Sequence, residues 1–154
     1  MSHNVAPRAT THYIYRGDRT AVIDGALRLT YADLYRRVGH VTAALEALGV
    51  RPGDRVAALC ANSAVMLELH SAVPAHGSVL VPLNIRLSEP ELVYILEHSG
   101  ATLLVATVEF ADRARAVAES VGIRVVVGGS ADGADEYESL LAQVGDRLAA
   151  SDED

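Results

Sequence analysis

A chain of 154 residues, half of them hydrophobic, is long enough to form one domain around a real core. Its formal charge of -7 argues against a nucleic acid or an anionic membrane held through a basic face. Lysine is absent and all 13 basic side chains are arginine, which excludes a Schiff base, a phosphate-loop lysine and any other lysine chemistry from this chain.

In chain order, residues 1 to 18 show no periodicity and are expected to form an irregular lead-in with room for one short helix. They carry neither the basic opening nor the apolar run of a secretory signal. Thr20 to Ile23 and Ala26 to Leu29 flank Asp24-Gly25, and an Asp-Gly pair between two apolar runs predicts a hairpin with a type I′ turn. The period then changes. Leu34, Val38, Val41, Leu45 and Leu48 lie on one helical stripe, with Thr30 and Asp33 placed to open the helix as a capping box and Gly49 to end it.

Arg51-Pro52-Gly53-Asp54 has proline and glycine at the two central places of a type II turn. Four strand-helix units follow. The predicted strands are Arg55 to Cys60, Val79 to Pro82, Thr102 to Ala106 and Arg124 to Val127, apolar runs without alternation, as when both faces are covered. The predicted helices are Ser63 to His76, Glu89 to Ser99, Glu109 to Val121 and Glu136 to Val144. Ser88 and Glu91 form a second capping box with Pro90 in the first turn, and Gly77, Gly100 and Gly122 each follow a helix. Pro74 falls inside its helix and is expected to bend it or end it early. Gly128 to Ala134 reads as a loop, and Ala149 to Asp154 as an acidic, frayed tail. The fold class is α/β: a hairpin and helix, then a four-stranded parallel, doubly wound sheet with helices on both faces.

Ligands of such sheets sit beyond the carboxyl ends of the strands. Those ends carry Asn62 and Ser63, Asn84 and Arg86, Thr107, and Gly128 to Ser130. Asn84 is suited to cap loop backbone, and Arg86 to make a forked bond with a carboxylate of the following helix. Gly128-Gly129-Ser130 fits neither the Walker spacing, which needs a lysine, nor a dinucleotide fingerprint. Asp132, Asp135 and Glu136 depart from EF-hand spacing.

His3, His12, His40, His70, His76 and His98 form no i, i+4 pair; His70 and His76 stand about 600° apart around their helix. Ser63 and Ser71 near His70 lack a nucleophile elbow and an orienting acid. Cys60, the lone cysteine, sits in an apolar run and reads as core, as does the stripe Phe110, Ala114, Val117 and Val121. No catalytic, cofactor-binding or metal-ligating residue is therefore assigned. No apolar stretch approaches the ~20 residues of a membrane span.

Three stretches carry a resemblance: RTAVIDGALRLTYADLYRRV (Arg19 to Val38), LGVRPGDRVAALCANS (Leu48 to Ser63) and GSVLVPLNIRLSEPELVYILEHSGATLLV (Gly77 to Val105). The last contains Pro82, Leu83, Asn84, Arg86 and Leu87 of a Pro-Leu-Asn-x-Arg-Leu element. Together they resemble the opening of the AMP-forming acyl-CoA synthetases of the adenylate-forming superfamily, in particular fatty-acid and short- or medium-chain ligases. Val73-Pro74-x-x-Gly77 is similar to the medium-chain version, and Tyr137 to Ala142 to the last helix before the family's phosphate loop.

The resemblance implies a partial amino-terminal domain over residues 19 to 148, after the lead-in and before an acidic tail of residues 149 to 154. Complete family members join a fatty acid to coenzyme A with ATP and magnesium. Their Ser/Thr/Gly-rich loop ending in Pro-Lys-Gly, the acyl pocket and the catalytic lysine have no counterpart here. The expectations are a cytoplasmic amino-terminal fragment, scaffold and acyl-side wall of a ligase, silent alone and binding no cofactor of its own. Its partner would be the remainder of the enzyme or a full-length relative. Alternatives are a non-catalytic interaction protein docking on such a relative or on a complementary fragment, and a small nucleotide- or CoA-binding module.

Overall fold

The computed structural model describes residues 16–151, and residues 1–15 of the lead-in expected over residues 1–18 lie outside them. Arg16 to Arg19 form a turn, Arg19 N–H donating to the Arg16 carbonyl at 3.0 Å, and the turn is tied to the first helix through Ala32 N–H and the Gly17 carbonyl. Strands β1 (Thr20–Asp24) and β2 (Leu27–Thr30) pair antiparallel, with Val22 opposite Leu29 and Asp24 opposite Leu27. The loop is thus Gly25-Ala26, one residue later than the sequence suggests, and only Gly25 has positive φ (58°). That pattern belongs to a type II′ turn and replaces the expected type I′. The reason is Asp24: as the last strand residue it aims its carboxylate at Ala64 N–H, 2.9 Å away at the start of another helix.

Helix α1 (Tyr31–Ala47) opens with the expected box, Thr30 Oγ1 accepting from Asp33 N–H and Asp33 from Thr30 N–H, and buries Leu34, Val38, Val41, Ala44 and Leu45. Gly49, with φ of 82°, closes it. The Pro52-Gly53 turn is of type II, with Asp54 N–H on the Arg51 carbonyl at 3.0 Å and Gly53 at φ 88°. Then follow β3 (Arg55–Leu59), α2 (Ala64–His76), β4 (Val79–Pro82), α3 (Glu89–Ser99), β5 (Ala101–Thr107), a 3₁₀ turn at Val108–Phe110, α4 (Ala111–Val121), β6 (Arg124–Gly128) and α5 (Glu136–Ser151). Both Ser88 and Glu91 serve in the second capping box. Pro74 does not end α2 early, because it falls in the final turn, and Gly77 N–H closes on its carbonyl at 3.0 Å.

The four parallel strands lie in the order β4-β3-β5-β6. Alternate residues face opposite layers. Val56, Ala58, Leu103, Val105 and Val126 pack with residues of α1, α2 and α5; Ala57, Leu59, Leu104 and Ala106 pack with α3 and α4. Helices on both faces make the sheet doubly wound, and each fully buried Leu or Val contributes about 1.5–3 kcal/mol. Two expectations need correction. β4 is an edge strand with Val79 half exposed, so its faces are not both covered, and Pro82 is tolerated there because an edge can spare an N–H. The last helix runs to Ser151 instead of Val144, past Gly145, which packs against His40, and into the expected tail, of which residues 152–154 lie outside the described residues.

Candidate functional site

The strand order reverses between β3 and β5, so their following segments diverge to opposite faces and the ligand-binding crevice of such sheets should open at their carboxyl ends. Here that crevice is bridged. Ala61 N–H after β3 donates to Thr107 Oγ1 at the end of β5 (3.0 Å), and Thr107 is buried. Its methyl lies 3.3 Å from where a Cβ would stand on Gly129, so the loop after β6 presses on the same point. Cys60 is buried beside it with Sγ on the Val105 carbonyl, and burial pushes its thiol up to about 12, which keeps it protonated and unreactive.

Around this bridge, three backbone donors that could hold a phosphate are already taken by protein oxygens. Ala64 N–H at the start of α2 goes to Asp24, and Met66 N–H to the Ser63 hydroxyl at 3.3 Å. Ser130, in the glycine loop, gives both its N–H and its hydroxyl to Asp135 Oδ2 at 2.9 Å. Asp132 accepts from Ala134 N–H at 3.0 Å, and that bond holds its carboxyl below the usual range. A cleft runs from the hairpin tip to this loop, and its charged lining is Asp24, Asp132, Asp135 and Glu138 against Arg37. An anionic triphosphate would meet net negative charge there.

The remaining candidates are dispersed. Asn84 caps its loop, accepting from Arg86 N–H at 3.0 Å. Arg86 itself is exposed, and the expected fork to a carboxylate does not form: Glu91, on the following helix, is held by Ser88, whose hydroxyl and N–H also keep its carboxyl below the ordinary value. Asn62 is exposed, and Ser63 is the cap of α2. His70 contacts the Met66 carbonyl, His76 meets the Ser78 hydroxyl at 2.6 Å, and His98 stacks on Tyr94. His40 packs its ring against Gly145 of α5, and His3 and His12 lie outside the described residues. Asp132, Asp135 and Glu136 do not converge: Glu136 pairs with Arg124 at 3.0 Å. Among the described residues no group of three His, Cys, Asp or Glu side chains could hold a metal ion. No described helix is long and apolar enough to cross a membrane.

One cluster escaped sequence reasoning. Glu68 on α2 is fully buried, with Arg37 Nε of α1 at 2.5 Å from Oε1 and the Tyr137 hydroxyl of α5 donating to Oε2 at 2.6 Å. Arg37 also reaches Glu138 of α5 through Nη1 at 3.0 Å and Nη2 at 2.5 Å. Burial alone would weaken the Arg37 charge, but the bonds and charges of Glu138 and Glu68 outweigh it and hold the guanidinium protonated. Burial, followed by the Glu68 charge, drives the Tyr137 phenol well above its ordinary value, so it stays a donor. The signal was Glu68 itself, a carboxylate amid Val65, Leu69 and Ala72 on a buried stripe. The cluster ties three helices together, and its Arg37 and Glu138 also line the cleft beside the glycine loop.

The profile of a family described as AMP-binding enzyme matches residues 12–152. A feruloyl-CoA synthase of an Amycolatopsis species is 47% identical over 117 residues, which is 76% of this chain and 24% of that protein. A long-chain-fatty-acid–CoA ligase of Thermus thermophilus is 47% identical over 77 residues, 50% of this chain and 14% of the relative. Among solved structures, a benzoate CoA ligase from Burkholderia xenovorans superposes with a TM-score of 0.79 at 27% identity, covering 87% of this chain and 27% of that one. The chain thus spans about a quarter or less of the length of these relatives.

Proposed function

The chain belongs to the AMP-binding enzyme family, and from that membership we propose that it is the amino-terminal portion of a ligase joining an acyl or aryl carboxylic acid to coenzyme A, and that by itself it forms no adenylate. The range of acids rests on the relatives, which include a feruloyl-CoA synthase, a fatty-acid ligase and a benzoate ligase. In a complete ligase of this kind ATP, magnesium and coenzyme A are the co-reactants, and this portion supplies a scaffold.

The observation that carries the silent reading is the state of the strand ends. Adenylate formation needs cations and free backbone donors aimed at the phosphorus that changes hands. Here Asp24 and Asp135 occupy the donors at Ala64 and Ser130, the cleft's one cation, Arg37, is spent on Glu68 and Glu138, and lysine is absent from the sequence. Pairing with the remainder of such an enzyme, or with a full-length relative, is favoured by the edge position of β4, where Val79 is half exposed.

Isothermal titration of the purified chain with ATP, AMP and coenzyme A at millimolar concentration tests the reading. The expected result is no heat beyond dilution. A saturable isotherm with any of the three would replace it with a small nucleotide- or CoA-binding module.

A further inference from the structure

Helix α5 differs from the other helices in how it is held. It follows a loop with two left-handed glycines, Gly129 at φ 81° and Gly133 at φ 66°, and packs on α1 and on β6, the last strand of the sheet. Its apolar seat is incompletely filled: a cavity of about 20 Å³ lies beneath Tyr137, Leu140 and Leu141, against Val41, Leu69 and Leu103. Such a void forfeits the dispersion contacts that a filled seat would make. Farther along, α5 presents Gly145, which has no side chain, to His40; a Cβ there would stand 2.9 Å from the ring. Besides the buried Tyr137, Leu141 and Val144, α5 has polar ties at its amino end, where Glu138 grips Arg37 and the Tyr137 hydroxyl reaches Glu68.

We propose that α5 is a latched cover that swings off the sheet as a cooperative unit while β3 to β6, α3 and α4 stay folded, with the Arg37–Glu138 pair as its latch. The hinge is the Gly129–Gly133 loop. Opening uncovers an apolar seat formed by Val41 and Leu45 of α1, Leu69 of α2, and Leu103 and Val126 of the sheet. The inference does not depend on the ligase reading, because it rests on packing alone.

Native-state hydrogen exchange of this 154-residue chain under conditions where exchange reports equilibrium opening separates a local event from a global one. Val117→Ala removes core contacts on the α3–α4 side of the sheet, which remain intact when α5 alone opens. It should therefore speed exchange in β3 and β5 about ten-fold and leave α5 amides unchanged. Glu138→Gln, at a partly exposed position, should speed α5 exchange about ten-fold, the loss expected for one charge-assisted pair. In the wild type α5 amides should exchange faster than those of β3 and β5. The proposal is overturned if Val117→Ala accelerates α5 by the same factor as the central strands, or if Glu138→Gln leaves α5 within two-fold of wild type.

Discussion

Two glycines with ordinary backbone angles allow the packing under α5 to be tested with one added carbon. Gly128 ends β6, and a Cβ built on it would stand 2.6 Å from the Tyr137 Cβ and 2.9 Å from its Cγ. Carbon atoms at rest lie about 3.5–4.0 Å apart, so the overlap is about 1 Å. The neighbour is the root of a side chain whose far end is bonded to Glu68, so it cannot swing aside without moving α5. Overpacking of this kind costs about 1–3 kcal/mol. Gly39, on the exposed side of α1, would meet nothing within 4 Å, and an alanine there should gain about 0.5–1 kcal/mol by constraining the unfolded chain. At roughly 2–4 °C per kcal/mol for a chain of this size, thermal unfolding followed by far-ultraviolet circular dichroism should place Gly128→Ala about 2–12 °C below wild type and Gly39→Ala about 1–4 °C above it. If Gly128→Ala melts with the wild type, the close docking of Tyr137 on β6 is wrong.

Other expected outcomes follow from the buried charges and the titrating groups. Arg37→Met leaves Glu68 buried with no cation and should cost about 3–5 kcal/mol in urea unfolding, whereas Arg37→Met with Glu68→Met should recover most of that loss; additive losses would deny their coupling. Burial, then the nearby Arg36 and Arg37 charges, lower the His40 pKa, so folding favours the neutral ring. That contribution is complete above the unfolded value of about 6.5 and is lost as pH falls through the lower folded value, and a pH series of unfolding free energies should show a loss there that His40→Asn flattens. The lowered carboxylates Asp33 and Glu91 act in a more acidic window, their stabilisation being present above about pH 4 and lost as pH falls below it. Cys60 should react with a thiol reagent only in denaturant; prompt labelling of the native chain would contradict its burial.

Much of the architecture was legible because its signals are local. Thr30 with Asp33, Ser88 with Glu91, and glycine at positions 49, 77, 100 and 122 are each read within a few residues, and each took its expected place. The hairpin was found but its turn was displaced, since the choice depended on Asp24 reaching Ala64, 40 residues away. Distance in sequence also hid the charge cluster: Arg37, Glu68 and Glu138 are 31 and 101 residues from their partners, and only the burial of Glu68 among apolar neighbours hinted at it. The forked bond expected of Arg86 with a carboxylate of the following helix does not form, and Ser88 holds Glu91 there instead. At the strand ends, sequence reasoning rejected a phosphate loop from missing motifs. The structure adds a physical ground, with aspartates already seated on the N–H groups of Ala64 and Ser130.

The most direct measurement is ATP–pyrophosphate exchange with the purified chain, magnesium and a panel of ferulic, cinnamic, benzoic and fatty acids. The account predicts exchange at the level of the protein-free blank for every acid. Exchange above that blank with any of them would mean that this chain holds and activates a nucleotide although Asp24 and Asp135 occupy the N–H groups of Ala64 and Ser130 and Arg37 is paired with Glu68 and Glu138, and the scaffold reading would fall.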